Sequence, residues 1–151
     1  EGENLQYRGI PSFSPEIFKE LINRDPMKSK QLDKGIRQLT EEGVAQLFLQ
    51  EPGSRKVVGT VGELQFEVIK YRLEHEYGAK CTYENLPMHK VCWVQPTEIN
   101  EEFKDFKRVK QRYLAKDKQG QLVFLADSAF TIQMTQDKYP SVQLHFTSEF
   151  E

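Results

Sequence analysis

A chain of 151 residues, 38% hydrophobic and 29% charged, has the material for one domain or two small ones with real cores. Its formal net charge of −2 provides no global field for nucleic acid, so any polyanion contact has to come from a local patch. No apolar run approaches the ~20 residues of a membrane helix, "EGENLQYRG" lacks the pattern of a signal peptide, and two cysteines, Cys81 and Cys92, make no extracellular framework; a cytoplasmic location is expected.

In chain order, "LQYRGIPSF" reads as a strand with prolines close by. "SPEIFKELI" carries a helix-start signal, with Ser14 as cap, Pro15 at the first helical position and Glu16 at the positive end, which predicts a helix over 14–22. "RDPMKSKQLDKGIRQLTEEG" starts a second helix at Asp25 and Pro26, places Leu32, Ile36 and Leu39 on one face, and stops at Gly43. "VAQLFLQ" and "RKVVGTV" are the two strands of a hairpin turned at "EPGS". A long helix runs from Glu63 to Tyr77 and ends at Gly78, and "AKCTYEN" is again a strand. The resulting β-α-β-β-α-β order over roughly residues 5–84, with the 14–22 helix inserted, is the split βαβ or ferredoxin-like pattern of an α+β fold.

"NLPM" marks a boundary, after which the same order recurs without sequence self-similarity. "MHKVCWV" is a strand and "INEEFKDFKRVK" a helix. "RYLAKD" and "QLVFLADS" form a hairpin around Gly120, "SAFTIQMTQDKY" is a helix capped by Ser128, and "SVQLHFTS" closes the chain as a strand. The expected division is an entry segment over 1–13, a ferredoxin-like subdomain over 14–86 and a second α/β subdomain over 87–151, packed on the first.

The Glu63–Tyr77 helix has two apolar sides. Leu64, Val68 and Tyr71 line one, and Phe66, Ile69, Leu73 and Tyr77 line nearly the opposite one. One stripe suffices for a helix on a lone sheet, so a second packing partner is implied. Phe66, Ile69, Leu73 and Tyr77 are expected to be covered by the C-terminal half; the competing reading is a docking face for another protein.

Nothing catalytic is visible. The glycine spacings that cradle phosphates are missing. Cys81, His89 and Cys92 stand as C-x7-H-x2-C without a fourth soft ligand, short of a structural zinc site. His75 and His145 have no nucleophile or acid partner at motif spacing. Two basic features remain: Lys28, Lys30, Lys34 and Arg37 on the second helix, and Lys104, Lys107, Arg108, Lys110 and Arg112 in "KDFKRVKQR", with Phe103, Phe106 and Val109 as its buried side. Such clusters release counterions from an RNA backbone; they are also what a solvated helix face looks like.

"GTVGELQFEVIKYRLEHEYG" resembles the Gly-Glu-Leu strand-to-helix motif in domain III of translational GTPases such as elongation factor G. Together with "GIPSFSPEIF", "DPMKSKQLDKGIRQLTEEGVAQLF" and the later "CWV", "FLADSAF" and "KYPSVQLHF", it is similar to the C-terminal domain of the peptide chain release factor 3 family, strongly over 8–84 and more loosely beyond. The resemblance implies a cytoplasmic bacterial GTPase that promotes departure of class-I release factors from the ribosome after termination. GTP and magnesium belong to a G domain whose motifs this chain lacks, so no catalytic residue, cofactor or metal is expected here, and residues 1–13 become the exit from a β-barrel domain. The implied partners are small-subunit ribosomal RNA, the ribosomal protein near the decoding region, the factor's own G and β-barrel domains and, indirectly, the class-I factors. On this view the two basic clusters become the expected ribosome contacts, with the "GTVGE" turn a further candidate. Composition and periodicity also permit a stand-alone ferredoxin-like module that binds a small ligand.

Overall fold

The computed structural model describes residues 14–51 and 53–146. The "LQYRGIPSF" strand expected from the sequence lies outside the described residues. Two compact units make up the fold, one spanning Pro15–Pro87 and the other containing the residues from Met88 onward.

The first unit runs β1 (Ile17–Asn23), α1 (Ser29–Glu41), β2 (Gln46–Gln50), β3 (Arg55–Thr60), α2 (Glu63–Tyr77) and β4 (Cys81–Asn85). All its strand pairs are antiparallel, in the order β4-β1-β3-β2. This is the ferredoxin-like arrangement. The start expected at Asp25 and Pro26 is a single 3-10 turn, where the Asp25 carboxylate accepts from the Met27 amide at 3.2 Å, and α1 itself follows from Ser29 without a side-chain cap. Leu32, Ile36 and Leu39 are buried on its inner face, worth about 1.5–3 kcal/mol each. Helix α2 keeps its expected bounds because Gly78, at φ 67°, supplies the left-handed residue that ends it.

Two expectations are corrected here. Residues 17–23 form a strand, not the helix that Ser14, Pro15 and Glu16 suggested. Strand β1 is central, hydrogen-bonded to β3 on one side and β4 on the other. It is buried on both faces: Leu21 enters the helix-side core, while Phe18 meets Phe48 across the sheet at 6.4 Å between ring centroids. A strand buried on both faces shows no polar alternation, so its apolar residues imitate a helical stripe. The other correction concerns α2. Phe66, Ile69 and Leu73 are buried in the first unit's own core with Leu32, Ile36 and Leu39, and Tyr77 packs against that core. They are spent against α1 and the sheet, not reserved for the C-terminal half. Gly35 shows how closely the helices approach: a Cβ there would lie 2.6 Å from Leu73 Cδ2 and 2.8 Å from Tyr77 Cδ2.

The second unit runs β5 (Lys90–Pro96), α3 (Glu101–Val109), β6 (Leu114–Lys116), β7 (Leu122–Ala126), α4 (Ala129–Lys138) and β8 (Val142–His145). Its antiparallel pairs give the order β6-β7-β5-β8, the same topology as the first unit read from the other edge. Asn100 caps α3 by accepting from the Phe103 amide at 3.0 Å, and Ser128 caps α4 by accepting from the Thr131 amide at 3.1 Å. The core gathers Cys92, Phe103, Phe106, Phe124 and Tyr139, with Phe106 set edge-on to Tyr139 at 5.4 Å. Val109, expected on the buried side, is exposed instead, because α3 reaches its last turn there.

Candidate nucleic-acid interface

Helix α1 places Lys30, Lys34 and Arg37 on its exposed face, with Lys28 half-buried at its head. None of the four forms an ion pair with another described residue. Two of the acidic neighbours are engaged elsewhere, while the exposed Glu41 forms no ion pair with another described residue. Asp33 accepts Lys56 of β3 at 3.3 Å, and Glu42 is gripped by Arg72 of α2 at 2.6 Å. Arg72 also reaches Glu76 at 2.9 Å. Hydrogen bonding from Arg72, foremost, holds the Glu42 carboxyl below its ordinary pKa, and the same two carboxylates raise the guanidinium further above its own. Charge removed from the stripe's acidic flank leaves α1 with a net positive outer surface.

The α3 cluster is of a different kind. Lys104, Lys107, Arg108 and Arg112 are exposed and Lys110 is half-buried. Two of them are neutralised within the helix, Lys104 by Glu101 at 3.6 Å and Arg108 by Asp105. The others sit over rings: Lys107 lies 5.3 Å from the Phe103 centroid, while Lys110 at 5.6 Å and Arg112 at 4.7 Å share Tyr113. Asp105 also accepts from the Tyr139 hydroxyl at 3.0 Å, the main cause of its lowered pKa. Five cations and three acidic residues, Glu101, Glu102 and Asp105, therefore occupy one short stretch, so this patch has a weaker field than its lysine count suggests. Both clusters lie on the first helix of a ferredoxin-like unit, α1 and α3 being equivalent in the two topologies.

The "GTVGE" turn joins β3 to α2, with Val61 half exposed and Thr60 Oγ1 donating to the Gly62 carbonyl at 2.8 Å. It leads into the surface that the sequence pattern alone assigned to the wrong side of the helix. Val61, Leu64, Val68 and Tyr71 are exposed in a row, with the Tyr71 and His75 rings 4.1 Å apart. The distinguishing signal was in the pattern. Phe66, Ile69, Leu73 and Tyr77 stay apolar to the last turn, whereas the row from Leu64 through Val68 and Tyr71 ends on the polar His75.

No group of three potential metal ligands occurs among the described residues, and no described helix is long and apolar enough to cross a membrane. Cys81 and Cys92 are buried, which pushes their thiols up to about 11 and about 12. His89 is tied to the second unit's sheet through its amide, which donates to the Ala126 carbonyl at 2.7 Å.

The family described as class II release factor RF3, C-terminal domain, matches residues 7–136. The peptide chain release factor 3 of Aromatoleum aromaticum is 44% identical over 150 residues, which cover 99% of this chain and 27% of that protein. The chain thus spans little more than a quarter of the relative it matches.

Proposed function

Because the chain belongs to the family of class II release factor RF3 C-terminal domains, we propose that it is the ribosome-contacting domain of a longer, ribosome-dependent GTPase that promotes dissociation of class-I release factors after termination. The observation that carries this reading is the unpaired basic face of α1: Lys30, Lys34 and Arg37 are exposed, and two of the carboxylates beside them, Asp33 and Glu42, are occupied by Lys56 and Arg72. Ribosomal RNA is the polyanion such a face suits, since each phosphate it neutralises releases counterions. On this reading GTP and magnesium are held by a domain ahead of this chain, the working location is the cytoplasm, and this domain contributes surfaces rather than chemistry.

The same reading makes the domain a relay. Arg72 clamps α2 to Glu42 at the end of α1, and Gly35 leaves room for the Leu73 and Tyr77 side chains of α2 against α1. A displacement applied at α1 is carried into α2 as one body, because close-packed interiors transmit strain.

Ribosome affinity of the full-length protein, measured as a function of salt, tests the proposal. The triple variant Lys30→Glu, Lys34→Glu, Arg37→Glu is expected to weaken binding by tenfold or more and to flatten the log–log salt slope by about two to three units. Unchanged affinity and slope would remove α1 from the interface and the reading with it.

A further inference from the structure

Strand β8 is an edge strand, paired with β5 on one side. Its register fixes which backbone groups face the other way. The Thr97 amide donates to the Ser141 carbonyl at 2.8 Å, so alternate residues of this antiparallel ladder bond β5, and the Val142 carbonyl and Leu144 amide turn outward. Opposite Val142 stands Pro96, which has no N–H to offer. One side chain takes both outward groups. Gln136 of α4 donates its amide N–H to the Val142 carbonyl at 2.9 Å and accepts from the Leu144 amide at 3.0 Å. Those are bonds that a neighbouring strand would otherwise make.

The residue type is informative. Ile132, Gln136 and Tyr139 share one face of α4 at helical spacing, and Ile132 and Tyr139 pack in the second unit's core. An apolar residue at 136 would suit that face; glutamine adds a donor and an acceptor on one group. Edge strands are commonly blunted by charge. Strand β4, at the edge of the first unit, carries the exposed Glu84 and follows the exposed Lys80. The sequence of β8, "VQLH", has no lysine, arginine or carboxylate.

We infer that Gln136 stands in for a neighbouring strand and keeps β8 from pairing with β8 of a second copy of this chain. A second copy is the occupant this edge fits best. Two identical strands meet antiparallel about a two-fold axis, each offering the same groups, and "VQLH" brings no like charges face to face. The inference is independent of the ribosome reading, since it concerns the second unit and leaves the α1 stripe untouched.

The test is sedimentation equilibrium of the full-length protein with Gln136→Met, which keeps the length of the side chain and removes both polar groups. The native protein is expected at the mass of one polypeptide, and the variant as a mixture in which dimer grows with concentration. Adding Leu144→Pro, which deletes only an outward N–H of an edge strand, is expected to abolish that dimer. A variant with the native mass at every concentration would overturn the inference, as would a dimer that survives Leu144→Pro. Should Gln136→Met fail to fold, Gln136→Ala carries the same expectation. Hydrogen exchange checks the contact itself: the Leu144 amide of the native protein is expected to exchange at least about tenfold more slowly than in the dilute variant, and equal rates would refute the stand-in role.

Discussion

The indole of Trp93 donates to Asp117 Oδ2 at 2.9 Å in the interior of the second unit. The other oxygen of the same carboxylate accepts from the amides of Gln119 at 3.0 Å and Gln121 at 2.8 Å. One side chain thus ties the β6–β7 hairpin turn to the central strand β5. Gly120, at φ 84°, completes the turn where any other residue would be strained. Removing the carboxylate leaves a buried indole N–H and two amides without their acceptor. Asp117→Ala is expected to cost about 2–4 kcal/mol, from roughly 1–3 kcal/mol for each buried group left unsatisfied, partly recovered by water. Trp93 is the single tryptophan, so its fluorescence in a urea titration measures the loss directly.

Gly35 predicts its own intolerance. Alanine is the better helix former by about 1 kcal/mol, and in an exposed helix Gly35→Ala would stabilise. Here the added methyl would have to displace Leu73 and Tyr77, both part of the first unit's core packing. Overpacking of this kind costs about 1–3 kcal/mol, so the net change is expected to be destabilising. A raised denaturation midpoint for Gly35→Ala would show that the two helices can separate at no cost.

The Arg72 fork gives a pH signature. Glu42 titrates below its ordinary value of 4.5 because Arg72 hydrogen-bonds it in the folded protein. A carboxyl with a depressed folded pKa contributes stability that is present above the unfolded value and lost as pH falls through the folded one. The stability gap between the native sequence and Arg72→Met is therefore expected to be constant from pH 7 to about 5 and to shrink below 4.5. The fork is solvent-facing, so high salt should narrow the gap too. A gap independent of pH would mean that Arg72 acts only through the packing of its stem.

The two thiols should be silent in the native state. Burial raises Cys81 and Cys92 to about 11 and about 12, and the thiolate is the reactive form. Ellman's reagent at pH 8 is expected to find no thiol in the folded protein and both after unfolding. The sign of the linkage is the reverse of the carboxylate case. The contribution of burial is intact below the ordinary value of 9.0 and is lost as pH rises through 11 and 12. Rapid labelling of either cysteine at neutral pH would point to local opening of β4 or β5.

The two basic clusters should separate in a charge-reversal experiment. Lys107→Glu, Arg108→Glu and Lys110→Glu together are expected to weaken ribosome binding less than the α1 triple. Arg108 is already paired with Asp105, and Lys107 and Lys110 are held over Phe103 and Tyr113. An equal or larger loss would make α3 the principal contact.

Local signals in the sequence were sufficient wherever a cap or a stop residue set the element. Asp25 and Pro26 begin the 3-10 turn that leads into α1, Gly78 ends α2, and Ser128 begins α4, each by a hydrogen bond or a backbone angle confined to a few residues. Strand β1 was illegible because its conformation is imposed from outside, by β3 and β4, while Ser14, Pro15 and Glu16 imitate a helix start. The candidate site was legible in identity but not in rank. Spacing located Lys30, Lys34 and Arg37 and the Lys104–Arg112 cluster alike. It could not reveal that Asp33 and Glu42 turn away from the first toward Lys56 and Arg72, while Glu101 and Asp105 stay on the second. Those pairings depend on which helix lies beside which strand.

In both units the strand made first lies in the middle of the sheet and pairs with the strand made last, β1 with β4 and β5 with β8. During synthesis each sheet therefore stays incomplete until its final strand has emerged. A nascent chain that ends before Cys81 carries β1 with one edge bare, and a chain cut before Val142 leaves β5 in the same condition. Bare edges of central, apolar strands are templates for pairing with the wrong chain. A premature stop near either final strand is thus more hazardous to this protein than its position late in the unit would suggest, and nascent-chain aggregation should peak in those two windows.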